Sequence, residues 1–348
     1  MTFVRLIQSV RDICDRLSTM KNTINWGIIG LGRIARKFAD DLQRVPGAQL
    51  HAVAATDMNR ALAFAADYGV AHAYDRYEDL LHCPDLDVVY VATPHTSHTA
   101  HTLLCVEHGL AVLCEKPFAM NAAEAGRMVD AARQHKVFLM EALWTRFIPA
   151  TRHALSLIEA GAIGEVHSVR ADFGFHSPFD PSSRLYNKAL GGGSLLDIGI
   201  YPALLALFIL GKPHPDDIQA AATFAETKVD DSCAFTFKYP SGGLAIGHST
   251  VRGHTGIEAW IHGSKGHIYI HPRFHHSMKL TLSTYDGRDE TKQDFDFPYE
   301  GWGYQFEAMH VMECLLAGKT ESDLVPLSFT LDLMETLDNV RRKIGLEY

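Results

Sequence analysis

Three small residues near the start of the chain have a spacing that suggests nucleotide chemistry. Gly30, Gly32 and Ala35 form the pattern G-x-G-x-x-A, directly after an apolar run that is typical of a short buried strand. The first glycine allows a tight turn, the second lets a pyrophosphate approach bare backbone, and the alanine lets the next helix pack closely. The amides that open this helix, at Arg33 and Ile34, would face the phosphates. The pattern predicts a dinucleotide site.

An acidic residue follows the second predicted strand, residues 49–55. In nucleotide-binding sheets an acidic side chain about 20 residues beyond the glycines bonds the adenosine ribose hydroxyls, so Asp57 favours NAD. Arg60 favours NADP, because a guanidinium at this place could bind the 2'-phosphate. The predicted cofactor is therefore NAD or NADP, with NAD slightly ahead.

Polar residues end the next predicted strand. Thr93 and Pro94 break it, and His95 and His98 follow in a loop and helix start that we expect to lie over the cofactor. With His101, these histidines recur at every third residue, which also suggests a metal. Such a series drifts around a helix, however, and no cysteine or carboxylate stands near it in sequence to complete a ligand shell. The sequence predicts no metal site.

Glu115 and Lys116 close the strand predicted over residues 111–114. The proline that follows holds Lys116 in an extended conformation at the carboxyl end of the strand, where open α/β sheets bind their ligands. We therefore expect Lys116 to point into the ligand crevice.

A second glycine-rich stretch lies in the other half of the chain, at residues 191–193. Three glycines permit close backbone approach, and a helix that begins near Ser194 puts Asp197 and Tyr201 on one face, four residues apart. The same spacing also fits a capped core helix with a buried tyrosine.

The elements that must position these residues fall into two groups. Strands alternate with helices, without hairpin signals, which predicts an α/β fold with a doubly wound parallel sheet, a Rossmann domain, over residues 21–143. Residues 144–348 show alternating strands and tight-turn signals, which predict an α+β domain with a mostly antiparallel sheet. Residues 1–23 resemble an amphipathic helix, and we interpret residues 1–20 as an N-terminal extension or a misplaced start.

Composition limits the class of protein. The chain has 348 residues, of which 47% are hydrophobic and 21% charged, as in ordinary soluble globular proteins. Its net charge of -9 includes no basic stripe, so nucleic acid and anionic membranes are poor candidates for partners. Six cysteines without a C-x-x-C pair predict reduced thiols and a cytoplasmic protein.

Four motifs occur in the order and spacing of a known family. They are Gly-Leu-Gly-Arg-Ile-Ala, Ala-Thr-Pro-His-x-x-His, Glu-Lys-Pro and Gly-Gly-Gly-x-Leu-Leu-Asp-Ile-Gly-Ile-Tyr. From about Ile24 to the C-terminus the sequence resembles the glucose-fructose oxidoreductase, inositol dehydrogenase and rhizopine-catabolism family (Gfo/Idh/MocA). Within it, Val-Leu-Cys-Glu-Lys-Pro and Glu-Ala-Leu-Trp-Thr-Arg-Phe look like the branch of dimeric dihydrodiol dehydrogenases and NADP-linked D-xylose dehydrogenases. Many relatives carry a histidine at the position of Tyr201, so the tyrosine narrows the match.

The resemblance implies a substrate pocket between the two domains and a homodimer formed through a large, open C-terminal sheet. It implies that Lys116 and Tyr201 are the catalytic pair, with Asp197 beside them. Dihydrodiol dehydrogenases of this type have arginine where this chain has Thr56, so a preference for NADP is not carried over. Five residues are candidates for the walls of the substrate pocket: Trp144, Arg146, Phe147, Phe175 and His176.

The predicted reaction is reversible hydride transfer between the nicotinamide C4 and a secondary carbinol of a sugar, cyclitol or trans-dihydrodiol. Hydride leaves most easily while the hydroxyl proton is being removed, so a base must lie within hydrogen-bond reach. Tyr201 is the candidate base, because a neighbouring Lys116 cation favours the phenolate, and Asp197 could orient Lys116 or a substrate hydroxyl. The alternatives are a non-catalytic NAD(P)-sensing protein and an oxidoreductase whose cofactor is never released.

Overall fold

The computed structural model describes residues 23–211 and 214–348, so the extension predicted over residues 1–20 lies outside the described residues. The described chain forms two compact units. Unit 1 comprises the residues up to Ala119 together with Glu124–Trp144 and Glu300–Leu327, and unit 2 comprises Met120–Ala123, Thr145–Tyr299 and Ser328–Tyr348. The predicted second domain spans 144–348, whereas the structure groups Glu300–Leu327 with unit 1.

In the described residues, fourteen strands form two sheets. In chain order they are β1 (Ile24–Ile29), β2 (Ala48–Ala54), β3 (His72–Tyr74), β4 (Val88–Val91), β5 (Ala111–Cys114), β6 (Leu139–Glu141), β7 (Val166–Gly174), β8 (Asp217–Phe224), β9 (Asp230–Lys238), β10 (Leu244–Thr250), β11 (Ala259–Gly263), β12 (Gly266–Ile270), β13 (Lys279–Asp286) and β14 (Asp289–Asp296).

Nine α-helices accompany the strands in the described residues. They are α1 (Arg33–Leu42), α2 (Met58–Tyr68), α3 (Tyr77–Leu80), α4 (His98–Glu107), α5 (Ala122–His135), α6 (Pro149–Glu159), α7 (Ile200–Leu210), α8 (Gln305–Leu316) and α9 (Leu327–Ile344). A π-helical turn, Leu195–Gly199, leads directly into α7.

The sheet of unit 1 has the order β3-β2-β1-β4-β5-β6 with every neighbouring pair parallel. All residues of β4 and β5 are buried, as expected for strands covered by helices on both faces. This strand order is that of the doubly wound nucleotide-binding fold, and its switch point lies between β1 and β4. The predicted Rossmann domain is confirmed.

The sheet of unit 2 has eight strands in the order β14-β13-β12-β11-β7-β10-β9-β8. Its pairs are antiparallel except for β7 and β10, which are parallel. The prediction of a mostly antiparallel C-terminal sheet is therefore confirmed.

The carboxylate of Asp41, on α1, holds the start of the segment Glu300–Leu327 within unit 1. It is fully buried and accepts hydrogen bonds from the backbone nitrogens of Trp302, Gly303 and Tyr304 at 2.8 to 3.0 Å. Three charge-assisted bonds from consecutive residues hold this loop against α1, and α8 follows directly.

One segment among the described residues, Lys188–Leu210, is long and apolar enough to cross a membrane by length and composition, with a mean hydropathy of 1.9. However, 78% of the most apolar 18-residue stretch of this segment is buried inside the protein, as is common for the core helix of a soluble protein. The five described cysteines are all buried and free, in agreement with the predicted reduced thiols.

Candidate active site

Gly30 makes the tight turn between β1 and α1, and only glycine fits there. Its φ is +85°, and a Cβ at this position would lie 2.6 Å from the backbone nitrogen of Thr93. The turn therefore packs directly against the residues that follow β4, which is the switch point of the sheet.

Gly32 leaves the N-terminus of α1 bare. It is the N-cap residue, no side chain caps the helix, and a Cβ here would meet nothing within 4 Å. Arg33 is exposed beside it. Unsatisfied amides at an open helix end are the arrangement that binds phosphate, so these residues fit the pyrophosphate of a dinucleotide.

Asp57 and Arg60 lie at the start of α2, at the carboxyl end of β2. The Asp57 carboxylate is the N-cap and accepts the backbone N–H of Arg60 at 2.9 Å. Both side chains are exposed. The capping bond therefore fixes the position of the Asp57 side chain. It uses Oδ1, so Oδ2 can bind a further partner.

His98 is 1% exposed, and its ring nitrogens lie 2.8 Å from the carbonyl oxygen of Thr93 and 2.9 Å from that of Pro117. Burial, aided by the charge of nearby His95, lowers the pKa of His98 to about 3. His98 was predicted to bind the cofactor. In the structure its ring lies between the backbone of the loops that follow β4 and β5, and the cofactor contact stays a prediction.

Lys116 follows β5 and its backbone is tightly held. Its N–H donates to the Glu115 carboxylate at 3.1 Å, while the hydroxyl of Tyr90 donates to the other Glu115 oxygen. Glu115 is 5% exposed, and Lys116 itself is half-buried. With Pro117 tied to His98, the backbone is anchored on both sides of Lys116. Lys116 thus occupies the carboxyl edge of the sheet, as expected.

Asp230, in unit 2, holds the start of the helix that carries Asp197 and Tyr201. One of its oxygens accepts the backbone N–H of Leu195 and the hydroxyl of Ser194, each at 2.7 Å. Burial raises the pKa of Asp230 to about 7, although both hydrogen bonds favour the charged form. The helix begins at Ser194, as predicted, but Asp197 lies in the π-helical turn rather than in regular α-helix.

Asp197 pairs with a residue that the sequence analysis did not single out. The Arg184 guanidinium donates to its carboxylate at 2.7 Å, and the Asp197 side chain is only 15% exposed. The segment that carries Arg184 packs against the glycine stretch, because a Cβ on Gly192 would lie 2.7 Å from the Arg184 carbonyl oxygen. Close backbone approach, predicted for these glycines, serves to seat the arginine.

Tyr201 lies in an aromatic group at the first turn of α7 and is 6% exposed. Its ring centroid is 5.5 Å from that of Phe173 and 5.0 Å from that of His275, and the last two rings stack at 4.4 Å. The hydroxyl of Thr145 donates to the His275 carbonyl oxygen at 2.8 Å and holds that segment in place. Unit 2 thus presents a phenol, a carboxylate and a guanidinium on neighbouring segments.

Comparison with known proteins gives the family. A sequence model described as an oxidoreductase family with an NAD-binding Rossmann fold matches residues 24–143, and one for the GFO/IDH/MocA C-terminal domain matches residues 151–269. The chain belongs to the Gfo/Idh/MocA oxidoreductase family. It is therefore an NAD(P)-dependent dehydrogenase, as predicted.

The relatives of this Gfo/Idh/MocA enzyme include trans-1,2-dihydrobenzene-1,2-diol dehydrogenases. The protein of that name from Mus musculus is 38% identical over 335 residues, which cover 93% of this chain and 98% of the relative. The Homo sapiens protein is 36% identical with the same coverage. The predicted resemblance to dihydrodiol dehydrogenases is thus confirmed.

Solved structures match over the whole described fold of this Gfo/Idh/MocA enzyme. An aldose-aldose oxidoreductase from Caulobacter crescentus, complexed with glycerol, is 26% identical with a TM-score of 0.84, covering 93% of this chain and 98% of that one. A 3-ketoreductase from Actinomadura kijaniata in complex with NADP is 23% identical with a TM-score of 0.80 and the same coverage, and this likeness concerns the fold alone.

The predicted pocket residues of this Gfo/Idh/MocA enzyme have varied surroundings. Trp144, in unit 1, is 7% exposed and stacks on Tyr304 with ring centroids 4.4 Å apart. In unit 2, the guanidinium of Arg146 lies 5.7 Å from the centre of the Phe208 ring. Phe147 is buried, Phe175 packs on an apolar cluster that includes Ile198, and His176 is exposed.

Three residues of unit 2 were missed by sequence reasoning: Arg184, Asp230 and His275. Each acts across a long separation in the chain, so no local spacing indicates it. The one available signal was the adjacent acidic pair Asp230 and Asp231, because a buried carboxylate needs a partner.

Proposed function

We propose that the protein transfers hydride reversibly between C4 of a nicotinamide coenzyme and a secondary carbinol of a sugar, cyclitol or trans-dihydrodiol. Tyr201 is the general acid/base and Lys116 the assisting cation. The observation that carries the proposal is the anchored Lys116, which lies at the carboxyl edge of the sheet two strands from the bare glycine turn. Strand spacing makes that separation about 10 Å, well within the length of a dinucleotide.

The chemistry that the coenzyme supplies when bound is acceptance or release of the hydride. The Tyr201 oxygen takes the proton of the substrate hydroxyl during oxidation and returns it during reduction. The Lys116 ammonium stabilises the phenolate form of Tyr201 electrostatically. Asp197, ion-paired to Arg184, accepts a hydrogen bond from a second substrate hydroxyl, which selects polyols and diols over simple alcohols. The buried aromatic group excludes water from the phenol.

Dihydrodiols and sugars are the substrate classes that the relatives' names support. The curated relatives are named for a dihydrobenzene diol, and the Caulobacter crescentus structure is named for aldoses. A spectrophotometric screen of dihydrodiols, pentoses, hexoses and cyclitols against NAD and NADP tests the reaction and identifies the substrate. Turnover of at least one secondary carbinol is expected, and failure with every one would contradict the proposal.

The role of Tyr201 is tested by Tyr201→Phe, which removes only the reacting oxygen. We expect kcat to fall by about 100-fold or more, the usual contribution of a positioned acid/base. Tyr239→Phe is the matched control, because Tyr239 is also buried in unit 2 and its hydroxyl has no hydrogen-bond partner among the described residues. Near-normal turnover of Tyr201→Phe would contradict the assignment and transfer the role to Lys116.

The two alternatives make different predictions for the same protein. A dinucleotide sensor binds NAD(P) tightly and turns over nothing in the screen. An oxidoreductase with retained cofactor releases nucleotide on denaturation of the purified protein and oxidises one sugar while reducing another without added coenzyme.

We propose NAD as the preferred coenzyme, because Asp57 is held at the end of β2 by its capping bond.

We also propose a homodimer through the outer face of the unit 2 sheet. On β10 the residues alternate, with Leu244 and Ile246 47% and 48% exposed while Ala245 and Gly247 are buried. Exposed branched side chains on a broad sheet are typical of a protein interface. Light scattering should give a dimer mass for the wild type and a smaller mass for Ile246→Asp. Leu62→Asp, at a site 54% exposed on α2, is the control that should remain dimeric.

A further inference from the structure

Two histidines and a cysteine converge at the outer edge of the unit 1 sheet, away from the residues discussed above. His51 lies on β2, His72 opens the edge strand β3, and Cys83 follows α3. A ring nitrogen of each histidine and the Cys83 sulfur all lie within 4.8 Å of one another. We propose that these three residues, the His51 cluster, form a binding site for zinc.

Strand β2 has a bulge at His51. On β1, Trp26 pairs with Leu50 and Gly27 pairs with Ala52, so His51 is an extra residue without a partner on β1. Such a bulge redirects the side chain of the extra residue. The His51 ring accordingly lies 4.8 Å from the His72 ring, measured between centroids.

The neighbours of the cluster match the outer shell of a metal site. One nitrogen of His51, Nε2, lies 3.0 Å from the carbonyl oxygen of Pro84, which holds the proton there and leaves Nδ1 with the lone pair. Metal-binding histidines commonly donate their other N–H to a backbone carbonyl in this way.

The types of ligand in the His51 cluster favour a transition metal of intermediate softness. Two imidazoles and one thiolate suit zinc, whereas magnesium and calcium require oxygen ligands. Zinc bonds of about 2.0 to 2.3 Å place tetrahedral ligands about 3.5 Å apart, so side-chain movements of about 1 Å close the observed cluster around the ion. Water would complete the tetrahedron, since His51 and His72 are only half-buried.

A bound ion would have a structural effect. The short edge strand β3 is joined to β2 by three residue pairs, and the loop that holds Cys83 precedes β4. Zinc would link β2, β3 and this loop and stabilise the edge of the sheet. Asp57 lies beyond the end of β2, so stabilising this strand would also steady the ribose end of the dinucleotide site.

A second group, His310, Cys314 and Asp323, also has metal-ligand types within reach of one another. Its ligand atoms are engaged, however, because the His310 Nε2 lies 2.6 Å from the Ser322 hydroxyl and Asp323 pairs with Lys319 at 3.1 Å. We therefore assign the site to the His51 cluster and use Cys314 as a control.

The test is titration of the coenzyme-free, chelator-treated full-length protein with Co²⁺, which reports thiolate ligation by a near-ultraviolet charge-transfer band and tetrahedral geometry by visible bands. We expect one Co²⁺ per chain, displaced by Zn²⁺ and not by Mg²⁺. Cys83→Ser should abolish the charge-transfer band. Cys314→Ser and Cys105→Ser should retain the band.

Folding of each variant is checked by circular dichroism, and His72→Gln provides a second variant at a half-buried position. It should lower Co²⁺ affinity at least tenfold, and the rise in Tm that Zn²⁺ produces in the wild type should disappear. The proposal is overturned by a wild type without a thiolate band, or by a band that survives Cys83→Ser or is lost with Cys314→Ser.

Discussion

The carboxylate of Asp230 lies 2.7 Å from the backbone nitrogen of Leu195 and so caps the helix that presents Asp197 and Tyr201. This bond crosses 35 residues of sequence. A helix start that is buried without such a partner leaves its amides unsatisfied, so Asp230 positions the proposed acid/base without touching substrate.

Asp230→Ala should lower the free energy of unfolding by about 2 kcal/mol, because it leaves the Leu195 amide buried without an acceptor. It should also lower kcat more than it raises KM, since the phenol is displaced. Asp230→Asn keeps an acceptor oxygen and should retain most of both. Urea unfolding and steady-state kinetics measure the two effects, and an Asp230→Ala variant of wild-type stability would contradict the capping role.

The pH dependence of stability has a sign that follows from burial. Burial raises the pKa of Asp230 from 3.8 to about 7, so between these values the unfolded chain releases a proton that the folded chain keeps. The contribution of Asp230 to the free energy of unfolding should therefore be complete below about pH 4 and decline as pH rises through 7. Asp230→Asn should lack this decline. If the free energy of unfolding changed with pH in the same way for both proteins between pH 4 and pH 8, the raised pKa of Asp230 would be contradicted.

Two alanine substitutions at the glycine turn should separate folding from binding. Gly30→Ala forces a side chain to φ +85° against Thr93, so we expect a loss of several kcal/mol of stability.

The added methyl group of Gly32→Ala would lie in open space at an ordinary φ of -87°, so the stability of this variant should stay within about 1 kcal/mol of wild type. Its methyl group would occupy the place of the phosphates and weaken coenzyme binding at least tenfold. Fluorescence titration with NADH checks this, and undiminished affinity would exclude Gly32 from the site.

Asp57→Asn tests the coenzyme preference while retaining the helix cap. The amide oxygen can still accept the Arg60 N–H, so the Tm should change little. Loss of the negative charge removes repulsion of a 2'-phosphate, and kcat/KM for NADP should rise relative to NAD by about tenfold, or 1.4 kcal/mol. If the wild type already prefers NADP by that factor, Arg60 rather than Asp57 determines the preference.

Glu307 of α8 is a second buried carboxyl with a defined pH signature. It is fully buried, neither oxygen has a hydrogen-bond partner among the described residues, and burial raises the pKa of Glu307 well above its usual value. The folded state therefore loses stability relative to Glu307→Gln as pH rises above about 4.5, where the unfolded carboxyl ionises. Thermal unfolding measured from pH 5 to pH 9 should show the Tm of Glu307→Gln rising relative to that of the wild type. A difference in Tm that does not change with pH would contradict a neutral Glu307 in the folded state.

Local patterns were sufficient to predict the nucleotide-binding half. An apolar run before a glycine pattern specifies a strand, a turn and a helix N-terminus within a dozen residues, and Gly30 and Gly32 occupy those places. Lys116 was expected at the carboxyl edge because it follows a predicted strand and the next residue, a proline, favours an extended backbone there. In these cases the signal and the structure it produces lie in the same short segment.

The surroundings of Asp197 and Tyr201 were decided only by the tertiary structure. Arg184 reaches Asp197 from a loop seated on Gly192, and His275 reaches Tyr201 from a separate strand connection. The segment Glu300–Leu327 is likewise joined to unit 1 by residues far apart in the chain, among them the buried carboxylate of Asp41 and the ring of Trp144. Residue types and spacing report periodicity along a chain, whereas these contacts depend on how distant segments pack, for which no local pattern exists.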